Sequence, residues 1–201
     1  MILSRWAVNN ELQNIQKTPL GLSGLLLELL KDHFTYNATQ FKYNPNPVES
    51  RLIIDLHSQW DPSNCENYPG IYIKRNNWQM RAEGKSIGDY KSFAVEDDGY
   101  SYEFWVPITA DYSIISIGKV YGEVELLATD TGTYLTLYQE PIRIYYDFAR
   151  FEVLDISGTE TLKEDKNYRY ARIDLRMTFD FIWKLSLEKP LISRVTLSSG
   201  A

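Results

Sequence analysis

The stretch Ala171-Arg172-Ile173-Asp174-Leu175-Arg176-Met177-Thr178-Phe179-Asp180-Phe181-Ile182-Trp183 alternates with a period of two. Every odd position is apolar. The even positions are charged or polar, with Ile182 the exception. Two-residue periodicity belongs to a strand with one buried face and one wet face. At roughly 3.3 Å per residue the stretch spans about 40 Å, against a usual strand of five or six residues. So long a polar face points to assembly rather than catalysis. Arg172, Asp174, Arg176 and Asp180 are read as a subunit interface.

Upstream, residues 150–156 (RFEVLDI) read as a strand and residues 158–166 (GTETLKEDK) as a charged connection. The two strands are expected to pair as a long C-terminal hairpin with a polar tip. Before them, residues 120–138 fit two elements. Val120, Val124, Leu127, Thr131, Leu135 and Tyr138 fall on one helical stripe. Asp130-Thr131-Gly132-Thr133 is poor helix material and equally suits a hairpin turn. Pro141 fits the first turn of a short helix, PIRIYYDF.

Residues 22–34 (LSGLLLELLKDHF) read as a helix. Leu22, Leu25, Leu26, Leu29 and Leu30 share one face at three- and four-residue spacing. Asn44-Pro45-Asn46-Pro47 is a loop, because each proline pushes its predecessor out of helical geometry. Strands are expected at 51–57 (RLIIDLH), at 70–75, near Phe93, at 102–106 and at 113–117. The last two are taken as separate strands divided by Pro107 and a turn. The expected architecture is a single α+β domain over residues 21–186, with an N-terminal arm (1–20) and a C-terminal tail (187–201). Its sheet is mainly antiparallel and flanked by one or two helices.

The 201 residues include 44% hydrophobic and 24% charged side chains, an ordinary globular balance. The net charge is −6 and no block of Lys and Arg occurs. A nucleic-acid grip by counterion release is therefore not expected. The single cysteine, Cys65, allows no intrachain disulfide. Residues 1–6 (MILSRW) lack a signal-peptide pattern. The apolar run 20–30 is too short to cross a bilayer, so no membrane partner is expected.

A search for chemistry finds no catalytic, metal-binding or cofactor-binding signature. His33 and His57 lie on different elements, each near an aspartate in sequence (Asp32, Asp55), without the further ligands a metal needs. HExxH, paired CxxC, GxSxG, a P-loop and a dinucleotide glycine pattern are all absent. The loop around Cys65 matches no cysteine-hydrolase signature. Trp60, Tyr68, Tyr72 and Trp78 cluster around loops and short strands. Trp60, Tyr68 and Trp78 are read as an aromatic contact loop for a partner protein or a sugar, with Trp78 alternatively closing the core at a strand end.

Three blocks also carry a family resemblance: SIISIGKVYGEVELLA (113–128), PIRIYYDFARFEVLDISG (141–158) and LKEDKNYRYARIDLRMTFDFIWKL (162–185). Together they form strand, helix, strand before a charged linker, and long aromatic strand. The chain in this region resembles the tail-terminator and tail-completion (neck) proteins of tailed bacteriophages. GIYIKRNNWQMR (70–81) is similar to that family's second strand. Asp130-Thr131-Gly132 departs from the pattern, since the family has a helix there. The resemblance implies a non-enzymatic virion protein, assembled in the host cytoplasm, that closes into a homo-oligomeric ring, commonly a hexamer. The ring would cap the tail tube and join it to neck or connector proteins. DNA would pass through without specific binding. The alternative reading is a carbohydrate- or receptor-binding module using the aromatic loops.

Overall fold

The computed structural model describes residues 17–36, 40–46, 49–61, 68–80, 90–96, 99–163 and 165–188, with backbone alone for those within 90–105 and 182–188. Cys65, residues 1–16 of the expected arm and residues 189–201 of the expected tail lie outside the described residues.

The chain is α+β. Helix α1 (Pro19–Tyr36) is followed by strand β1 (Ile53–Leu56) and a 3-10 turn at His57–Gln59. Strands β2 (Gly70–Met80), β3 (Tyr90–Glu96) and β4 (Gly99–Gly118) come next. Helices α2 (Tyr121–Leu137) and α3 (Gln139–Tyr145) precede β5 (Arg150–Ile156), the two-residue β6 (Glu160–Thr161) and β7 (Arg169–Glu188). The main sheet order is β1-β2-β4-β7-β5, parallel only between β1 and β2. β3 pairs with β4 and β6 with β7.

Several local choices are visible in the residues. Thr18 starts α1: its side-chain oxygen accepts from the Gly21 N–H at 3.2 Å. Pro19 follows at the first helical position, where its missing N–H has no helical partner to lose. The stretch 130–132 is helical, inside α2. Leu127, Thr131 and Leu135 lie on the buried stripe and outweigh the weak propensity. Asp147 ends α3 with φ 54°, and the Phe148 N–H returns to the Arg143 carbonyl at 2.9 Å. That left-handed residue aims the chain into β5. Its carboxylate accepts from the Lys17 ammonium at 3.1 Å, so Lys17, read from sequence as part of the arm, is tied to the domain.

One expectation is corrected. Residues 102–106 and 113–117 are not two strands divided at Pro107; they belong to the single twenty-residue β4. The full length of β4 pairs with β7, from Gly99↔Glu188 to Gly118↔Arg169, with Pro107 opposite Asp180. On the other edge of β4 the β2 register ends at Ile108 and the β3 register begins at Phe104. Pro107 sits between these two registers, at a break in the pairing described on that edge. β2 also runs to Met80, five residues past the expected end. The long strand itself extends from Arg169 to Glu188.

The expected alternation holds. Ala171, Ile173, Leu175, Met177 and Phe179 are buried, while Arg172, Asp174, Arg176, Thr178 and Asp180 are exposed or half-buried. β5 pairs with β7 as the expected hairpin, Phe151 opposite Met177 and Val153 opposite Leu175. The apolar residues of β7 face Ile108, Ala110, Tyr112 and Ile114 of β4. The three described helices all cover this face, through Leu22, Leu26 and Leu30 of α1, Leu127 and Leu135 of α2, and Ile142 of α3. The buried Tyr112 hydroxyl donates to the Pro19 carbonyl at 2.9 Å, which removes the penalty of burying it.

Candidate functional site

The opposite face of the sheet is where the polar side chains of β2, β4 and β7 gather. Residues opposite one another in antiparallel register point the same way. So Lys74, Ser113 and Asp174 form one row, and Asn77, Asp111 and Arg176 another. The Asn76 amide donates to the Ser113 hydroxyl at 2.6 Å, and that hydroxyl donates to the Asp174 carboxylate at 2.5 Å. Arg172 closes the chain on the other Asp174 oxygen at 3.1 Å. Arg176 holds Asp111 across the strands with two bonds, 2.7 and 3.3 Å. The Asp111 carboxylate raises the Arg176 guanidinium above its ordinary pKa.

Toward the β1 end, this face has an apolar cluster of its own. Tyr72, Ile115, Ile117 and Tyr168 are buried, with Ile53, Trp60, Leu162 and Tyr170 packed against them. Gly70 lets the Tyr72 ring lie close over the strand, since a Cβ there would stand 2.6 Å from the ring. Trp60 follows the 3-10 turn and stacks on His57 at 6.5 Å. Leu162 and Tyr168 come from the connection between β5 and β7, whose fold is fixed by the Leu162 N–H donating to the Tyr168 carbonyl at 3.0 Å. These pieces wall a cleft of about 250 Å³. Ile115, Ile117 and Leu162 supply apolar lining; Lys74, Lys163 and Arg172 supply cations; His57, Trp60 and Tyr170 also line it. The Trp60 indole N–H is buried without a partner among the described residues.

The sequence-predicted residues divide accordingly. Arg172, Asp174, Arg176 and Asp180 share the polar face as expected. However, Arg172, Asp174 and Arg176 are engaged within their own sheet. Trp60 and Trp78 do not share a platform. Trp78, opposite Ala110, packs against the helix-covered core, while Trp60 packs on the other face. Tyr68 is exposed, two residues before β2. The cleft residues Lys74, Ser113, Lys163 and Tyr170 were missed. Lys74, Ser113 and Tyr170 carry only a strand phase and Lys163 only its place in a charged connection, and neither signal says which strands become neighbours.

A second cluster lies on the helical side. His33 is buried, stacked on Tyr134 at 4.0 Å and paired with Asp130 at 3.3 Å. Burial lowers the His33 pKa, opposed by the Asp130 hydrogen bond and charge. Burial, then the Asp32 and Tyr138 charges, push the Tyr134 hydroxyl up to about 12. Burial likewise raises Glu28 and Asp32. Among the described residues no group of three or more His, Cys, Asp and Glu is placed to hold a metal. No described helix is long and apolar enough to cross a membrane. Comparison of this chain with protein-family models and with curated proteins finds no match.

Proposed function

We propose that this chain is a non-enzymatic structural subunit of a tailed-phage virion, a tail terminator or neck protein working as a homo-oligomeric ring. The ring caps the tail tube and meets connector proteins above it. The observation that carries the reading is the β4–β7 pairing. β4 and β7 pair over twenty positions, from Gly118↔Arg169 to Gly99↔Glu188 at the far end. β3 joins them there as a three-stranded ribbon. Strands of this length exceed the usual five or six residues and offer a long arm to a neighbouring copy. The sheet also ends in two unpaired edges among the described residues, β1 and β5. β5 exposes Leu154 and Ile156, and edge strands of this sort take up partner chains. The helix through residues 130–132 adds support, since the resembled family has one there.

Light scattering and negative-stain imaging of the native protein test the proposal. A closed ring of about six copies is expected. A monomer that stays single both alone and with a tail-tube protein refutes it.

The cleft beside Trp60 favours one second reading, a carbohydrate- or receptor-binding module. An aromatic side chain beside polar groups suits sugar stacking. Glycan binding by the isolated monomer, lost in Trp60→Ala, is the result that would replace the ring reading.

A further inference from the structure

The cleft and the ribbon lie at opposite ends of one sheet. The cleft is built at Ser113, Ile115 and Ile117 of β4, and the β3–β4 turn begins at Gly99 of the same strand. Sixteen residues separate Gly99 from Ile115, roughly 50 Å of strand. The chemistry of the two ends is complementary. Glu96 pairs with Gly99, and the sequence that joins them is Asp97-Asp98, so the β3–β4 connection carries three consecutive carboxylate residues. At the cleft, Arg172 is held by Asp174, but Lys74 and Lys163 have no ion pair among the described residues. On a chain of net charge −6, the described lining of the cleft carries Lys74, Lys163 and Arg172 and no carboxylate.

We infer that the cleft receives the acidic β3–β4 turn, Glu96-Asp97-Asp98, of a second copy of this chain. This inference rests on the ring reading above and specifies its contact. The carboxylates of the tip meet Lys74 and Lys163, while Trp60 and Tyr170 flank the entering turn. One copy cannot satisfy its own cleft, because about 50 Å of the same strand separates tip from cleft. The contact is therefore heterologous, head to tail. Repeated around an axis, such a contact closes into a ring when its rotation divides a full turn. Charge complementarity at the two ends sets register and excludes tip-to-tip pairing.

Charge reversal tests it on the full-length protein. Lys74→Glu with Lys163→Glu reverses the cleft; Asp97→Lys with Asp98→Lys reverses the tip. Lys74 and Lys163 are exposed, and circular dichroism of each variant checks that it folds. Each variant alone is expected to shift from ring mass to monomer mass by light scattering. An equimolar mixture of the two is expected to recover the ring, because every contact in an alternating assembly then joins opposite charges. Wild-type assembly is expected to weaken with added salt. Two folded variants that each still form the ring overturn the tip-in-cleft contact and leave the ring reading standing. So does a mixture of folded variants that fails to recover assembly. A wild-type chain that never self-associates, alone or with a tail-tube protein, overturns both.

Discussion

Replacing Phe179 by alanine, beside a control at Thr178, is the sharpest test of the two-faced strand. Phe179 has no exposed surface. Its ring lies 5.9 Å from Phe148, which stacks on Phe151 at 6.1 Å, and its strand partner is Ile108. Truncation removes buried ring surface and leaves a cavity among β4, β5 and the end of α3. Phe→Ala changes at such sites cost about 3–5 kcal/mol, and the lost ring pairing puts this one toward the middle of that range. For a chain of this size each kcal/mol moves the melting temperature by about 2–4 °C, so a fall of roughly 10 °C is expected. Thr178, one residue earlier, is half-buried between Thr109 and Arg150 on the polar face. Thr178→Ala loses one cross-strand pair, worth less than about 1 kcal/mol. Urea unfolding followed by tryptophan fluorescence gives both values. Equal losses at the two positions would refute the assignment of a dry and a wet face.

Other predictions follow from the polar rows and the helical cluster. Ser113→Ala leaves the Asn76 amide without its acceptor and Asp174 with Arg172 but without the hydroxyl, and should cost about 1–2 kcal/mol in the same unfolding assay; an unchanged midpoint would show that the relay contributes nothing. Arg172→Glu should impair ring formation and cost the monomer less than Arg176→Glu does, because it breaks a single contact to Asp174. Arg176→Glu should harm both, because it sets a carboxylate against Asp111; normal rings from both variants count against the polar-face interface. Burial lowers the His33 pKa, so at pH values just below the ordinary histidine value the unfolded chain binds the proton more readily. Stability should therefore hold above about pH 6.5 and decline as pH falls below it. His33→Phe should flatten that limb of a melting-temperature profile, and an unaltered profile would rule His33 out as its source. Glu28 and Asp32 have the opposite sign. Their raised pKa values mean that stability is lost as pH rises through the carboxylate range. Asp32→Asn should raise the melting temperature at neutral pH but not at pH 3.

The β7 alternation was legible because burial of one sheet face imposes a two-residue period that few other elements show. The leucine stripe of α1 was legible for the same reason at helical spacing. Residues 120–138 were not, because two local signals conflicted and only the apolar surface of β4, β5 and β7 decides between them. Pro107 misled because proline argues against a strand interior unless the neighbouring registers leave it an interval, and registers are tertiary facts. His33 illustrates the same limit: its partner Asp130 lies 97 residues away in the chain.

By itself, then, the sequence determined the α+β class, the long two-faced strand, its hairpin with β5 and the buried stripe of α1. All of these rest on periodicity, which depends only on near neighbours in the chain. Only the tertiary structure decided that β4 runs unbroken past Pro107, that Trp60 and Trp78 belong to opposite faces, and that Lys74, Ser113, Lys163 and Arg172 meet around one cleft. Those outcomes depend on which strands become neighbours and in what register. Pairing of that kind is settled by the summed burial of the whole core, and no short stretch of sequence contains that sum.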